Sequence, residues 1–274
     1  MVSQNNSKRR KDPEYFLERS GALLSQGKTN QAVKLPGDSL RAHRGDLQLS
    51  LRLGSVLMAK KNYDRAIQIL RQGLSVNPQQ PDLIYHLGMA YLSLGDGANA
   101  QVYLQPIAGQ FPNDIPLQEA FGGCLALQRK YDEALSVFQQ AIGQALDGEQ
   151  SARLQLHVAA ALQDLSRTDE ALQIVAGLKQ TLPDNPEVLL AEAKLHSDLG
   201  NMPETEEGLL QVLALEPGNI DAFVLLHKMP RREPDPGTLE QISAFLGDDR
   251  INYRDDIKLN FLAGELLDKS KYRN

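Results

Sequence analysis

Few side chains in this sequence could perform nucleophilic or metal-dependent chemistry. The 274 residues include one cysteine and five histidines: Cys124, His43, His86, His157, His196 and His227. A single cysteine permits neither an intramolecular disulfide nor a multi-cysteine zinc site. His86 and His157 fall at equivalent places two sequence repeats apart. That separation is too large for a shared metal when neighbouring helices pack about 8–10 Å apart.

The remaining polar groups do not form a recognisable catalytic pattern. Cys124 follows Gly123 in a predicted helix without a basic cluster beside it, so we interpret it as a small packing residue. The acidic pairs Asp248-Asp249 and Asp255-Asp256 are typical of solvated helix ends. Gly95-Asp96-Gly97 lies in a turn between helices and is not a phosphate-binding loop. The sequence therefore predicts no catalytic residue, no metal site and no cofactor, and we expect this chain not to be an enzyme.

Composition and charge narrow the class of partner. Lys and Arg number 29 and Asp and Glu 35, which gives a net charge of −6 and argues against a nucleic-acid-binding role. No stretch is apolar for long enough to predict insertion into a membrane. Residues 1–12 are polar and basic, with a cluster at Lys8–Lys11, and we interpret them as a flexible tail. These features favour a cytoplasmic location.

A sequence period is the most informative feature. Three series of small residues and prolines recur at spacings of mostly 34 residues, and such a period indicates a repeat architecture. The first is Ala32, Ala66, Ala100, Ala134, Ala171 and Thr205. The second, twelve residues ahead, is Ser20, Gly54, Gly88, Gly122, Ala159 and Ala193, and the third, twelve residues behind, is Pro78, Pro112, Pro183 and Pro217.

Each repeat is predicted to contain two helices. In residues 46–60, Leu49, Leu53 and Leu57 form one helical stripe, and Asn62-Tyr63-Asp64 interrupts it before a second helix that ends at Asn77-Pro78. Proline at the first position predicts the helix starts at Pro13, Pro81 and Pro186. The recurring small residue is expected to face the alanine twelve residues later, so that the two helices cross closely. Leu70, Leu104, Phe138 and Val175 are expected to fill the space between successive hairpins.

This pattern resembles the tetratricopeptide repeat: a small residue at position 8, alanine at 20, an apolar residue at 24 and proline at 32 of a 34-residue unit. In that register the repeats cover residues 13–228 and start near Pro13, Leu47, Pro81, Ile115, Ala152, Pro186 and Ile220. The resemblance implies an all-α fold, a right-handed superhelical solenoid of antiparallel helix hairpins. Three extra residues around 143–150 are expected to lengthen the second helix of the repeat that starts at Ile115, or to form a loop at its end.

The resemblance also implies a protein-interaction scaffold or adaptor that binds a partner peptide or protein in a concave groove. Family geometry places positions 2, 5, 9, 12 and 13 of each repeat on that face. The candidate groove residues are Leu51, Ser55, Met58, Tyr85, Met89, Leu92, Leu156, Gln163, Leu190 and Lys194. Methionines give such a floor an adaptable lining for helical or extended peptides with apolar anchors.

Both ends depart from the pattern. Pro36 in the second helix of the first repeat and Arg44 in place of the terminal proline suggest a distorted cap. Residues 229–237 hold three prolines and are expected to form a rigid loop that includes Arg231-Arg232. Thr238 and Gln241 suggest a capping box for a helix from Leu239 to Leu246.

Residues 238–274 form a degenerate helical segment whose final stripe, Ile257 to Leu267, resembles the first helix of a further repeat. Tyr272 falls three residues before an expected alanine, so we expect that the native protein continues beyond Asn274. Without its partner helix, this stripe would offer a surface for self-association.

Phe261 and Gly264 in the same segment resemble the junction at which bacterial repeat proteins are fused to a sulfotransferase domain. The alternative interpretation is therefore the N-terminal recognition arm of a larger enzyme, with its catalytic domain beyond residue 274.

Overall fold

The computed structural model describes residues 13–26, 28, 31–32, 47–230, 237–247 and 253–271. Fourteen helices are delimited within these residues. They are α1 Pro13–Ser25, α2 Leu47–Ala59, α3 Tyr63–Val76, α4 Pro81–Ser93, α5 Gly97–Gln110, α6 Ile115–Leu127, α7 Tyr131–Ile142, α8 Gly148–Asp164, α9 Thr168–Thr181, α10 Pro186–Asp198, α11 Met202–Leu215, α12 Ile220–Lys228, α13 Thr238–Leu246 and α14 Tyr253–Lys271.

The chain divides into two compact units, an N-terminal unit of Met1–Cys124 and a C-terminal unit of Leu125–Asn274. In the N-terminal unit, α2 packs on α3 and α4 packs on α5, while α3 also packs on α4. In the C-terminal unit the pairs are α7 with α8, α8 with α9, and α10 with α11. Helices that follow one another in sequence therefore pack in succession, which confirms the predicted all-α fold of helix hairpins.

Glycines allow the hairpins of the N-terminal unit to close. A Cβ atom on Gly54 would lie 2.6 Å from a methyl carbon of Leu70, and one on Gly88 would overlap Leu104. Leu70 and Leu104 are fully buried. Each leucine thus fills the space over the glycine of its own hairpin, whereas the sequence predicted that it fills the space between hairpins. Where the two helices of a hairpin cross, the leucine side chain occupies the volume that a Cβ atom on the glycine would otherwise fill.

The C-terminal unit packs its hairpins with a different distribution of small residues. Position 8 is alanine at Ala159 and Ala193, both buried. In the α10–α11 hairpin the glycine is on the second helix, because a Cβ on Gly208 would lie 3.1 Å from the Cβ of Ala193. Elsewhere in this unit, the ring of Phe138 is buried and stacks on His157 with a centroid distance of 5.2 Å.

The turn inside each hairpin has a common backbone conformation. Position 15 of five successive repeats adopts a left-handed φ, between +57° and +78°, at Lys61, Gly95, Arg129, Ser166 and Gly200. This conformation costs an ordinary residue roughly 1–2 kcal/mol. Only two of the five residues are glycine, so the sequence did not reveal the turn position.

Side-chain caps and prolines fix where first helices begin. Pro81 and Pro186 lie in the first turns of α4 and α10. Asn185 accepts a hydrogen bond from the Val188 backbone N–H, and Asp147 accepts one from the Gln150 N–H. The Asp147 cap starts α8 at Gly148, four residues before Ala152, so the first helix of the next repeat is lengthened. That satisfied backbone donor stabilises the added turn. The prediction of a longer second helix is wrong, because α7 ends at Ile142 and a loop follows it.

The C-terminal segment is packed rather than unpartnered. Leu259, Leu262 and Leu266 of α14 are buried in a cluster with Phe223 and Ile242, and α14 packs on α12 and α13. The expectation of a helix without a partner within this chain is therefore wrong. A second face of α14 is exposed at Ile257, Phe261 and Leu267, and self-association through it stays a prediction.

The start of α13 also differs from the predicted capping box. Gly237, with a φ of +94°, occupies the cap position, and Thr238 is the first helical residue. Thr238 is buried, and its hydroxyl lies 3.4 Å from Nε2 of His227. The threonine therefore faces the core instead of the backbone N–H groups.

Several predictions concern residues outside the described part of the chain. They are the basic cluster Lys8–Lys11, Pro36, His43, Arg44, Arg231-Arg232, Asp248-Asp249 and Tyr272.

Candidate functional site

The N-terminal unit presents an apolar face on two adjacent first helices. Tyr85, Met89 and Leu92 follow one another at spacings of four and three residues and share one side of α4. Met58 lies on α2, which packs directly against α4. All four side chains are half-buried and rest on the core cluster of this unit, so each keeps part of its apolar surface accessible. We refer to these four residues as the apolar face.

Tyr85 gives the apolar face a polar group. Burial raises the pKa of its phenol above the ordinary value, and the nearby carboxylates of Asp114 and Glu119 raise it further. The hydroxyl therefore stays protonated at neutral pH and is available as a hydrogen-bond donor. The ring also contacts His86 edge-on, with the centroids 5.6 Å apart. An aromatic ring with a polar tip is typical of residues that anchor protein interfaces.

Two predicted groove residues of α2 differ from this set. Leu51 is only 9% exposed and belongs to the core cluster, so it offers a partner almost no surface. Ser55 is exposed. Of the three predicted groove residues on α2, Met58 is accordingly the one that contributes apolar surface.

The C-terminal unit uses the equivalent positions for contacts within the chain. Leu156, Gln163, Leu190 and Lys194 are half-buried. The Gln163 amide donates to Asp198, which links α8 to α10. The Lys194 ammonium lies 3.2 Å from a carboxylate oxygen of Asp221, which links α10 to α12.

Asp221 has a second cationic partner. Lys258 of α14 forms an ion pair with Asp221 and lies 3.1 Å from Asp255. Burial alone would raise the pKa of Asp221, but Lys194 and Lys258 lower it below its ordinary value of 3.8. We refer to Lys194, Asp221, Lys258 and Asp255 as the ion-pair network.

Sequence reasoning missed Asp221 and Lys258. Asp221 occupies position 2 of its repeat, as does Glu187 in the repeat before, and position 2 was among those expected on the inner face. Two acidic residues in succession at that position were the available signal. Nothing local indicated Lys258, because it lies 37 residues from Asp221 in the sequence.

In the described part of the chain, the side chains that could bind a metal or act as a nucleophile are either dispersed or unreactive. Those residues contain no cluster of three or more histidine, cysteine or acidic side chains that could hold a metal. Cys124 is fully buried, and burial raises its pKa to about 12. A thiol with that pKa is almost entirely protonated at neutral pH and is a poor nucleophile.

A helix can cross a bilayer only if it is long and apolar enough. Among the helices in the described ranges, none has the length and apolar character needed to cross a bilayer.

The architecture defines a class of protein: consecutive helix hairpins with a recurring 34-residue pattern form a helical repeat protein. The model of the tetratricopeptide repeat family matches residues 23–78 and 57–121. Residues 23–121 are therefore similar to tetratricopeptide repeats in sequence. A search of curated proteins finds no match.

Solved structures extend the likeness in fold. A thermophilic TPR protein of Thermus thermophilus is 26% identical, with 66% of this chain and 96% of that chain covered and a TM-score of 0.55. A tetratricopeptide repeat protein of Parabacteroides merdae is 15% identical over 93% of this chain and 98% of that one, with a TM-score of 0.73.

A chain of the APC/C hetero-tetramer Cut9–Hcn1 is 19% identical over 79% of this chain and 42% of that chain, with a TM-score of 0.58. This fold generally mediates protein–protein interactions. These comparisons carry no indication of a fused sulfotransferase, which stays a prediction from the sequence.

Proposed function

We propose that this chain is a protein-interaction scaffold that holds a segment of a partner protein on the apolar face of Met58, Tyr85, Met89 and Leu92. The observation that carries the proposal is the position of these four half-buried apolar side chains on two helices that pack against each other. Because the two helices pack together, residues that are distant in sequence are brought to neighbouring positions.

The chemistry of the apolar face defines the kind of segment. Two methionines adapt their shape to different apolar anchors, and Tyr85 supplies a ring and a protonated hydroxyl. Asp114 and Glu119 add negative charge beside Tyr85. The proposed ligand is therefore a helical or extended peptide with apolar anchors and no acidic group near Tyr85.

The test uses a peptide selected by phage display on the immobilised full chain. Its affinity for the wild-type chain and for the Tyr85→Ala/Met89→Ala variant is then measured by isothermal titration calorimetry. Truncation of interface anchors commonly costs more than about 1 kcal/mol each, so we expect affinity to fall at least about tenfold. Circular dichroism verifies that the variant keeps its helices.

The matched control truncates two exposed apolar residues elsewhere in the same unit. Val76 is on α3 and Val102 on α5, and both side chains are exposed. The Val76→Ala/Val102→Ala variant should bind the peptide as the wild-type chain does. If the control variant loses affinity and the Tyr85→Ala/Met89→Ala variant retains it, the peptide binds elsewhere and the proposed face is wrong.

A further inference from the structure

The C-terminal unit contains a pocket formed by three helices. It has a volume of about 850 Å³ and lies among α10, α12, α14 and the turn that precedes α12. That volume is within the range of pockets that enclose small ligands or side chains. Its lining includes Glu187, Leu190, Glu216, Ile220, Asp221 and Lys258.

Two apolar side chains form part of the pocket lining. Leu190 and Ile220 both line it and are half-buried. Leu190 packs on one core cluster of this unit and Ile220 on another. A ligand with an aliphatic portion would bury that portion against them.

Some charged side chains of the pocket form ion pairs within the chain, and others do not. Asp221 is paired with Lys194 and Lys258, and Lys258 also contacts Asp255. The Glu187 side chain is exposed and has no hydrogen bond or ion pair with any other described residue. Glu216 accepts one hydrogen bond, from the neutral amide of Asn219. Two carboxylates, Glu187 and Glu216, therefore line the pocket and form no ion pair with Lys258 or with any other cation of the described residues.

The helix ends in the pocket do not make it an anion site. The backbone N–H of Val188 donates to the Asn185 side chain, and that of Ala222 donates to the Asn219 side chain. These caps occupy donors that an anion would otherwise use. Acidic residues in the first turns of all three helices, Glu187, Asp221 and Asp255, oppose an anion further.

We propose that this pocket binds a basic side chain, arginine or lysine, of a partner polypeptide. The methylene groups of that side chain pack on Leu190 and Ile220, and its cation meets the carboxylates of Glu187 and Glu216. Long basic side chains combine these two requirements, because an aliphatic stem carries a terminal charge. The proposal does not depend on the apolar face of the N-terminal unit.

The probe is a capped tripeptide with arginine between two alanines, titrated into the full ¹⁵N-labelled chain. We expect its chemical-shift changes to concentrate at the backbone amides of Gly218, Asn219 and Ile220, which line the pocket. The same tripeptide with citrulline, a neutral analogue of arginine, should cause no such changes. This comparison uses the wild-type chain and is independent of the stability of any variant.

A charge-removing variant tests the two carboxylates. Each exposed ion pair contributes a factor of roughly two to five in affinity, so Glu187→Gln/Glu216→Gln should weaken binding about fourfold to twenty-five-fold. The control is Glu204→Gln/Glu207→Gln, which removes the same charge from exposed positions on α11. It should bind the arginine tripeptide as the wild-type chain does.

Three outcomes would overturn the proposal. The citrulline tripeptide could bind as well as the arginine one, or the shift changes could fall outside the pocket. Alternatively, Glu187→Gln/Glu216→Gln and Glu204→Gln/Glu207→Gln could lose affinity equally. The loss would then come from the change in net charge and not from contacts inside the pocket. A failure here would leave the apolar face untouched, since its test uses different variants and a different peptide.

Discussion

The two units use the same repeat positions in opposite ways. Position 9 of the third repeat is Met89, which keeps apolar surface accessible on the N-terminal unit. Position 9 of the sixth repeat is Lys194, which is committed to Asp221 of the next first helix. Met89 therefore keeps accessible apolar surface, whereas Lys194 links two helices of its own unit. The lesson is that repeat register locates a face, but the side-chain type at each position decides what that face binds.

The units also differ in how they bring the helices of a hairpin together. The N-terminal unit has glycine on the first helix, at Gly54 and Gly88, under a leucine on the second. In the C-terminal unit, Ala159 and Val175 occupy the corresponding positions of one repeat. In that repeat a wider residue on the first helix accompanies a narrower one on the second, which keeps the total volume similar.

The largest expected effect is on this packing, in the Gly88→Ala variant. The added methyl overlaps Leu104, and overpacking costs about 1–3 kcal/mol. Alanine regains about 0.5–1 kcal/mol of helix propensity. We therefore expect a net loss of about 1–2 kcal/mol in the free energy of unfolding, measured with urea.

Two further variants show whether the cause is local. Adding Leu104→Val to Gly88→Ala reproduces the pair found at Ala159 and Val175, and should recover most of the loss. Gly123→Ala is the control, because its Cβ would meet no heavy atom of the described residues within 4 Å. It should be neutral or stabilising. Equal losses in Gly88→Ala and Gly123→Ala would contradict the packing argument.

The second prediction removes the acid at the centre of the ion-pair network. Asp221→Asn deprives Lys194 and Lys258 of their shared partner. Because the Asp221 side chain is 36% exposed, solvent screening limits the expected loss to about 1 kcal/mol at neutral pH. Urea unfolding measures the loss, and amide hydrogen exchange in α14 shows whether the attachment of this helix weakens.

The stabilisation that Asp221 provides should also depend on pH. The folded-state pKa of Asp221 is lowered, so its contribution is complete above the ordinary value of 3.8 and is lost as pH falls through the folded-state pKa. The difference between wild type and Asp221→Asn should therefore be constant near neutral pH and vanish in strong acid. A difference that persists in strong acid would show that the effect is not electrostatic. Glu170→Gln, which removes an exposed pair with Arg167 at the start of α9, serves as the control.

Much of the fold could be predicted because each repeat packs on its neighbours. Small residues, prolines and apolar stripes at a 34-residue period specify the helices locally, and α2, α4, α6, α10 and α12 begin at Leu47, Pro81, Ile115, Pro186 and Ile220. The start of α8 was missed because the Asp147 side chain extends the helix backwards. The left-handed turn at Lys61, Arg129 and Ser166 was missed because those residues do not favour it intrinsically.

The candidate sites were less predictable for a physical reason. Register placed Tyr85 and Met89 on one side of α4, but whether a side chain keeps accessible surface depends on its neighbours in space, as the burial of Leu51 shows. The partners of Asp221 lie 27 and 37 residues away in the sequence. No local period predicts such pairs. The pocket beside them was therefore not predictable from the sequence pattern.

The smallest expected effect comes from exchanging the residue type between the two faces. Lys194→Met places at position 9 the side chain that Met89 supplies in the N-terminal unit. Asp221 keeps Lys258, so the loss in unfolding free energy should be about 0.5 kcal/mol, less than for Asp221→Asn. Lys60→Met, which removes the same charge from an exposed residue, should change stability less.

A double-mutant cycle decides whether this loss belongs to the ion pair. In the Asp221→Asn background, Lys194→Met should cost almost nothing, because the carboxylate it contacts is already absent. An undiminished cost in that background would mean that Lys194 stabilises the chain through the packing of its methylene groups. Position 9 would then contribute apolar contact in both units, and the contrast between Met89 and Lys194 would reduce to the terminal charge.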